Sequence, residues 1–265
     1  MNICLKIPSP DSLLPEQKTA EQLQALLNLP SCSPDTQTPL TLGWQKDRLS
    51  LFTDPKTAIN IDFTAGKLRH RLKFGGGKGQ PLAKAIGFHK YQNFSIIDAT
   101  AGLAGDSFVF ASLLAQGQHQ GSVTLIERHP VIAALIEDAL IRAKTFIQNA
   151  PASPDASLLT EIIQRMQLQC GHAAELIPQL PPAEVIYLDP MFPEKKKKAA
   201  VKKGMQALQQ LVGPDQDSEQ LLAVALQSAT KRVVVKRPKA APPLIGHPPT
   251  TAIHSPNTRY DLYIT

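Results

Sequence analysis

The chain has 265 residues, of which 43% are hydrophobic, and a formal net charge of +6. Because this length exceeds the ~100–200 residues of one typical domain, we expect one full-size domain with a smaller attachment, and clustered basic charge suits a polyanionic partner. The longest apolar run, at 108–115, is far shorter than the ~18 residues that a membrane span needs, which excludes an integral membrane protein.

Residues 1–66 differ in composition from the rest of the chain. Proline, serine and threonine are frequent there, and they flank one amphipathic stretch, EQLQALLNL, at 21–29. Two alternating runs, LTLGWQ and RLSLFT, then flank Lys46 and Asp47. Helical periodicity followed by two alternating runs predicts a helix and a β-hairpin. We therefore expect a small N-terminal α+β unit, which we call the cap.

The cysteines and histidines form no recognisable ligand pattern. Cys4, Cys32 and Cys170 are too few and too scattered for a disulfide framework or a paired-cysteine metal site. The seven histidines have no metal-ligand spacing, so the sequence predicts no metal. Because this cysteine usage and the lack of a long apolar leader are typical of a reducing compartment, we expect a cytoplasmic location.

From Phe94 onward, short apolar runs alternate with longer stretches of helical periodicity. Such alternation predicts an α/β fold with a doubly wound, mostly parallel sheet and helices on both faces. The predicted domains are therefore the cap at 1–66 and a Rossmann-like domain at 67–265. The predicted strands lie at 94–98, 122–127, 184–189, 231–236 and 260–264, and a further strand, between the second and third of these, ends at Cys170.

The first of these strands ends in the loop DATAGLAGDSF, at 98–108. Ligands of open parallel sheets bind beyond the carboxyl ends of the strands, where the strand order reverses. Gly102 and Gly105 would let backbone N–H groups approach a ligand there. On these residues alone, an ordinary strand-to-helix turn is an equal alternative. We expect a nucleotide-like ligand beside Asp98, Gly102, Gly105 and Asp106.

Glu127 closes the second strand of the sheet. A carboxylate at this position can accept hydrogen bonds from both hydroxyls of a ribose; alternatively, it caps the following helix, which Pro130 would open. The first loop has the glycine pattern G-L-A-G, which lacks the glycine triplet that binds a pyrophosphate. A cofactor without phosphate, such as S-adenosylmethionine, therefore suits the loop better than NAD does.

The fourth strand runs into the sequence Asp-Pro-Met-Phe-Pro at 189–193. Pro190 prevents the strand from continuing, so it places Asp189 at the carboxyl edge of the sheet. The Asp189 carboxylate and the Pro190 carbonyl can accept hydrogen bonds from an amino group, and Phe192 can stack on a planar base. This arrangement predicts a site for a nucleobase amine.

A group of lysines follows this motif directly. Lysine runs are more often a solvated face than a binding site, but their place beside a predicted base site favours contacts with nucleic acid phosphates. Two further cations stand at the carboxyl end of the next predicted strand. The predicted RNA-binding residues are Lys195, Lys196, Lys197, Lys198, Lys202, Lys203, Lys236 and Arg237.

These motifs resemble those of a known family. The sequence Asp-Pro-Met-Phe is similar to the Asp/Asn-Pro-Pro-Phe/Tyr motif of amino-directed methyltransferases, with Met191 in place of the second proline. Longer segments, among them DATAGLAGDSFVFAS, LIERHPVIAALIEDAL and YLDPMFPEKKKKAAVKKG, resemble the ribosomal RNA small subunit methyltransferase J family. The similar segments follow one another in order from residue 73 to residue 265.

The resemblance implies a Rossmann-like class I methyltransferase that uses S-adenosylmethionine to methylate the N2 amine of a guanine in 16S ribosomal RNA. Its implied partner is 16S rRNA or the small ribosomal subunit, with no obligatory protein partner. Family members have arginine at the position of Gly105, so only a backbone contact is implied there. The implied cofactor contacts are Gly105, Asp106, Glu127, Arg128, Ala174, Glu175 and Asp189.

Other functions fit parts of the sequence. The Asp-Pro-x-Phe chemistry also suits transfer to another planar amine, such as adenine or a glutamine side chain. An RNA-binding assembly factor without turnover would also use the basic residues. An NAD oxidoreductase is disfavoured because the glycine triplet is missing.

Overall fold

The computed structural model describes residues 3–6, 13, 17–32, 40–54, 56–65, 79–92, 94–191, 211–213, 217–244 and 248–265. Within these residues the chain forms two β-sheets, one of four strands and one of seven. Several predicted functional residues lie outside the described residues, namely Phe192, Lys195, Lys196, Lys197, Lys198, Lys202 and Lys203.

The four-stranded sheet and one helix form the cap. A capping box starts the helix, in which the hydroxyl of Thr19 accepts a hydrogen bond from the backbone N–H of Gln22. The predicted helix and hairpin are both confirmed, and two short strands join them. The elements are β1 (Ile3–Leu5), α1 (Ala20–Leu27), β2 (Leu40–Gln45), β3 (Arg48–Asp54) and β4 (Thr57–Ile59). The strand order is β1-β2-β3-β4, with β1 and β2 parallel and the other neighbours antiparallel.

A disulfide links Cys4 of β1 to Cys32, which follows α1. This bond was not predicted, because the sequence indicated cysteines too few and too scattered for a disulfide framework. Backbone hydrogen bonds from Leu5 N to the Pro30 carbonyl and from Cys32 N to the Leu5 carbonyl bring the two segments together, and no local sequence pattern encodes such a long-range contact. Because disulfides are rare in a reducing cytoplasm, cysteine usage no longer supports that location.

The strands of the seven-stranded sheet are, in chain order, β5 (Ile96–Asp98), β6 (Val123–Glu127), β7 (Met166–Cys170), β8 (Ala183–Leu188), β9 (Ala229–Pro238), β10 (Thr251–His254) and β11 (Thr258–Ile264). Their order across the sheet is β10-β11-β9-β8-β5-β6-β7. Neighbours from β7 to β9 are parallel, whereas β11 is antiparallel to both β9 and β10. The chain runs outward from β5 to β7 and returns to β8 on the other side of β5, so the strand order reverses between β5 and β8.

Helices cover both faces of this sheet. Successive residues of a strand point to opposite faces; accordingly, Val185 and Tyr187 of β8 belong to one hydrophobic cluster, and Ile186 and Leu188 belong to another. The predicted doubly wound, mostly parallel fold is therefore confirmed, although the short edge strand β10 was not predicted. The helices are α2 (Pro81–Ala85), α3 (Gly105–Gln116), α4 (Pro130–Asn149), α5 (Pro154–Arg165), α6 (Ala173–Leu176), which a 3₁₀ turn at Ile177–Gln179 extends, and α7 (Ser218–Ser228).

The cap shares its core with one face of the large sheet. Phe63, just after β4, stacks on Phe108 of α3 with ring centroids 5.3 Å apart, and both side chains are buried. Leu42 and Leu51 of the cap lie in the same hydrophobic cluster. The predicted domain boundary at residue 66 lies outside the described residues, so this division stays a prediction.

Polar contacts also join the cap to α4. Asp138 accepts hydrogen bonds from the backbone N–H of Leu49 (3.2 Å) and the side chain of Gln17 (2.5 Å), and it pairs with Arg142 (2.8 Å). Arg142 in turn donates to the carbonyl of Ile61 at 2.6 Å. We call Gln17, Asp138 and Arg142 the docking cluster. None of the described helices is long and apolar enough to cross a membrane.

Candidate active site

A cavity that opens to solvent lies beyond the carboxyl ends of β5, β6 and β8. This is where the strand order reverses and where ligands of such sheets bind. Ala99, Ile126, Ile132, Ala173 and Leu221 contribute its apolar walls. Its polar and charged lining residues are Thr100, Glu127, Arg128, His172, Asp189, Asp217 and Ser218.

The loop after β5 forms one side of the cavity. Its backbone turns through two left-handed positions, at Gly102 (φ 53°) and Ala104 (φ 57°), and α3 then begins at Gly105. Gly102 lines the cavity. The glycine is suited to the first position because glycine takes positive φ at little cost, whereas Ala104 takes it against its preference.

Glu127 is held by backbone donors on both sides. One of its carboxylate oxygens accepts from Gly102 N at 2.8 Å and the other from His129 N at 2.7 Å. The side chain is buried, yet it lines the cavity. A carboxylate has about four lone-pair sites, so Glu127 can accept further hydrogen bonds from a ligand. The contact with His129, at the start of α4, also agrees with the alternative role as a helix cap.

Asp189 lies at the carboxyl edge of the sheet, as the sequence predicts. Strand β8 ends at Leu188, and the backbone N–H of Asp189 then donates to the hydroxyl of Thr100 at 2.7 Å. This bond fixes the start of the Asp-Pro-Met motif against the loop after β5. The Asp189 side chain keeps 39% of its surface exposed, and Asp189, Pro190 and Met191 line the cavity.

Beside the cavity, four side chains form what we call the edge cluster: Asp106, Tyr187, Asp189 and Lys236. The Lys236 ammonium lies 2.8 Å from an oxygen of Asp106 and 2.8 Å from an oxygen of Asp189. The Tyr187 hydroxyl donates to the same Asp106 oxygen at 2.7 Å. Burial alone would lower the pKa of Lys236, but the charges of the two carboxylates outweigh burial and raise it.

Asp98 lies behind this cluster and is fully buried. Burial raises the pKa of Asp98 to about 7; hydrogen bonds from the Ser107 hydroxyl (2.5 Å) and from Thr100 N (3.2 Å) oppose the rise, and the charges of Asp106 and Asp189 add to it. Burial, with the charge of Asp106, also raises the pKa of the Tyr187 hydroxyl well above its usual value. Asp98 and Tyr187 therefore resist ionisation beside the carboxylates of Asp106 and Asp189.

The structure brings most of the predicted cofactor residues to one edge of the sheet, but only some of them line the cavity. Glu127, Arg128, Ala174 and Asp189 line the cavity with Gly102. Asp98, Gly105 and Asp106 are next to that wall, in β5 and the first turn of α3, but are not among the described lining residues. Glu175 is exposed and is not among them either.

Arg128 makes a contact that the sequence did not predict. Its guanidinium pairs with Asp217, the residue before α7, at 3.3 Å, and His172 lies 4.0 Å from the same carboxylate. All three side chains line the cavity. An acidic residue directly before a helix has the usual sequence pattern of a helix cap, so the local pattern gave no signal for a role at the cavity.

Lys236 and Arg237 differ from their predicted place on an RNA-binding surface. Strand β9 continues to Pro238, and both residues pair with β11 inside the sheet. Lys236 consequently contacts two carboxylates, and Arg237 is 4% exposed and donates to the carbonyl of Pro242. The sequence prediction ended this strand two residues too early, which wrongly placed Arg237 beyond the sheet.

Comparisons with known proteins give one consistent family. The family model for SAM-dependent methyltransferases (SAM_MT) matches residues 22–265. Ribosomal RNA small subunit methyltransferase J of Hydrogenovibrio crunogenus is 51% identical, over 96% of this chain and 92% of that protein. The protein of the same name from Aeromonas salmonicida is 43% identical, over 95% and 96%. A solved SAM-dependent methyltransferase from Neisseria gonorrhoeae is 30% identical with a TM-score of 0.70, over 99% of this chain and 96% of that one.

Proposed function

The chain belongs to the ribosomal RNA small subunit methyltransferase J family of S-adenosylmethionine-dependent methyltransferases, and we propose that it methylates the exocyclic N2 amine of a guanosine in 16S ribosomal RNA. One observation carries the choice of an amine. Asp189 lines the cavity, and its backbone N–H donates a hydrogen bond to Thr100 while its carboxylate pairs with Lys236. A fixed carboxylate beside a cofactor cavity suits a substrate that offers N–H donors.

S-adenosylmethionine fits the charges of the site. When bound, it supplies an electrophilic methyl group on a positively charged sulfonium. Asp106 occupies the first turn of α3, close to Asp98 and Asp189, where the pyrophosphate of a dinucleotide would sit in a related sheet. Carboxylates there repel a phosphate and attract a cation. The residues proposed to hold the cofactor are Asp98, Gly102, Gly105, Asp106, Glu127, Arg128, Ala174, Glu175 and Asp189.

The residues of the Asp-Pro-Met-Phe motif would orient the base. The Asp189 carboxylate and the Pro190 carbonyl would accept hydrogen bonds from the two N–H groups of the guanine amine and so position its nitrogen for methyl transfer. These acceptors would also stabilise the positive charge that develops on the nitrogen during transfer. Phe192, which lies outside the described residues, is proposed to stack on the flat face of the base. Positioning and electrostatics thus supply most of the catalysis.

The RNA backbone would be held by the lysines that follow the motif. Relatives at 51% and 43% identity are named for ribosomal RNA of the small subunit, and that substrate agrees with the net charge of +6. A ribosomal substrate would also place the enzyme in the cytoplasm. With Lys236 and Arg237 assigned to other contacts, the proposed phosphate contacts are Lys195, Lys196, Lys197, Lys198, Lys202 and Lys203.

A labelling experiment tests the choice of substrate. The purified protein is incubated with S-adenosylmethionine that carries a tritiated methyl group, and small subunits, naked 16S rRNA, duplex DNA and total protein are offered in parallel. We expect label in small-subunit RNA, whether assembled or naked, and background counts elsewhere. Label in DNA or protein, or no label in RNA although calorimetry shows that the cofactor binds, would contradict the proposal.

A further inference from the structure

Lys236 contacts two carboxylates, and one of them, that of Asp189, is the predicted acceptor for the substrate amine. We propose that Lys236 is a positioning residue whose ammonium keeps the Asp189 carboxylate ionised, so that Asp189 accepts hydrogen bonds from the substrate amine and not the proton that the amine releases. The inference rests on the proposed function of Asp189. It assigns to Lys236 a role inside the site in place of the predicted contact with RNA.

The geometry makes Lys236 a bridge between two elements. Its backbone is fixed in β9, where it pairs with Tyr260 of β11, and its ammonium reaches Asp106 of α3 and Asp189 after β8, each at 2.8 Å. Both distances are those of charge-assisted hydrogen bonds. The side chain keeps 28% of its surface exposed, so the pair is screened less than a surface pair but is not sealed from water.

The charges around Asp189 show why a cation is needed. Asp106 shares the Lys236 ammonium with Asp189, and Asp98 lies close enough for its pKa to respond to both of their charges. Carboxylates that share a site raise each other's pKa, so three of them beside the neutral Tyr187 would favour protonation of at least one. Lys236 opposes this at Asp106 and Asp189. The other charged or titratable residues that line the same cavity are Glu127, Arg128, His172 and Asp217.

Ionisation of Asp189 decides its chemical role. A protonated Asp189 would offer an O–H donor and lose acceptor capacity, whereas the ionised form is an acceptor only. In the transfer, the amine nitrogen gives its lone pair to the methyl carbon, the bond from that carbon to sulfur breaks with its electron pair left on sulfur, and one amine proton passes to water. A carboxylate paired with a lysine is a weak base, so Asp189 orients the amine without keeping its proton.

The test compares the pH dependence of three substitutions. Lys236→Gln keeps an N–H donor but removes the charge, and Lys236→Arg keeps the charge. Lys231→Gln is the matched control, because Lys231 is an exposed lysine at the other end of β9. Single-turnover methyl transfer to 16S rRNA is measured from pH 6 to pH 9 with saturating cofactor.

We expect the wild type, Lys231→Gln and Lys236→Arg to share one profile shape, even if Lys236→Arg is slower throughout. Lys236→Gln should gain an acid limb, along which the rate falls about tenfold per pH unit below the raised pKa of the carboxylates. An unchanged profile shape for Lys236→Gln, at any absolute rate, would overturn the inference. So would an acid limb in Lys236→Arg equal to that in Lys236→Gln.

A second measurement needs neither substrate nor cofactor. The free energy of unfolding in urea is measured at pH 5 and pH 8 for the wild type, Lys236→Gln and the double variant Lys236→Gln/Asp189→Asn. Without the ammonium the folded-state pKa values of Asp106 and Asp189 rise, so stability is lost as pH rises through them. Lys236→Gln should lose more stability at pH 8 than at pH 5, and Asp189→Asn should reduce that extra loss.

Equal losses at the two pH values would contradict the inference, as would a double variant with the full pH-dependent loss. Together, the methylation and unfolding measurements separate the proposed function from the proposed role of Lys236. If the wild type fails to methylate ribosomal RNA, the proposed function fails. If it methylates RNA but the pH effects are missing, only the role of Lys236 fails.

Discussion

The docking cluster and the edge cluster each contain a carboxylate that pairs with a cation, but the two carboxylates differ in their exposure to solvent. In the docking cluster, Asp138 and Arg142 are 7% and 8% exposed, and both make further hydrogen bonds to the cap. In the edge cluster, Asp189 is 39% exposed and lines the cavity. A buried ion pair stabilises the contact between two parts of a fold, whereas a partly exposed pair leaves a carboxylate that can accept hydrogen bonds from a ligand.

The largest effect on folding should come from the docking cluster. Asp138→Ala leaves the buried Arg142 without its carboxylate and removes the acceptor for Leu49 N. Removing one partner of a buried pair costs about 3–5 kcal/mol, and we expect a loss of that size in urea unfolding. Cofactor affinity of the folded fraction should stay unchanged. A loss below about 1 kcal/mol would show that the cap does not depend on this cluster.

In the edge cluster, substitution of Asp189 should lower the rate of methyl transfer strongly and the free energy of unfolding only slightly. Asp189→Asn removes the charge that is proposed to position and stabilise the amine, and loss of one such transition-state contact costs about 10²–10³-fold in rate. Because Asp189 is partly exposed, the free energy of unfolding should change much less than in Asp138→Ala. Single-turnover kinetics and urea unfolding measure the two quantities. A variant with near wild-type transfer would contradict the role given to Asp189.

The buried carboxyl behind the edge cluster gives a pH-dependent effect of intermediate size. The folded-state pKa of Asp98 is about 7, above the ordinary value of 3.8, so its contribution to stability is present below pH 4 and is lost as pH rises to about 7. Wild-type stability should therefore fall relative to Asp98→Asn across this range. Urea unfolding at several pH values measures the difference, and a difference that is constant with pH would contradict the raised pKa.

The smallest effect should come from the pair that the sequence did not predict. Arg128 and Asp217 are 25% and 36% exposed and 3.3 Å apart, and pairs this exposed contribute about 0–1 kcal/mol. Asp217→Asn should weaken cofactor binding in calorimetry by less than about fivefold. Asp47→Asn, at a more exposed carboxylate of the cap, is the matched control and should leave affinity unchanged. Loss of all measurable affinity in Asp217→Asn would give this pair a larger role.

The sequence predicted the parts of this comparison that depend on local pattern. Alternating apolar runs located β5 to β9, and Pro190 located the point where Asp189 leaves the sheet. Contacts between distant segments had no such signal. The sharing of Lys236 by Asp106 and Asp189 depends on three elements that meet only in the folded sheet, and the Cys4–Cys32 bond depends on how α1 returns to β1.

Asp189, proposed to bind the base, and Lys236, proposed to fix its carboxylate, therefore came from different kinds of information. Pro190, which follows a predicted strand, can be recognised from the sequence alone. A lysine at the end of β9 has the same local pattern whether it faces RNA phosphates or the carboxylates of Asp106 and Asp189, and only the folded arrangement of α3, β8 and β9 decides between them.

Identification of the atom that receives the methyl group is the decisive test of the proposed reaction. Small subunits are methylated with S-adenosylmethionine that carries a deuterated methyl group, their 16S rRNA is digested to nucleosides, and the labelled nucleoside is identified by chromatography and mass spectrometry against standards. We expect label in N2-methylguanosine with the wild type and a strong decrease with Asp189→Asn. Label in a methyladenosine, or in guanosine methylated at a ring nitrogen, would contradict the proposed reaction.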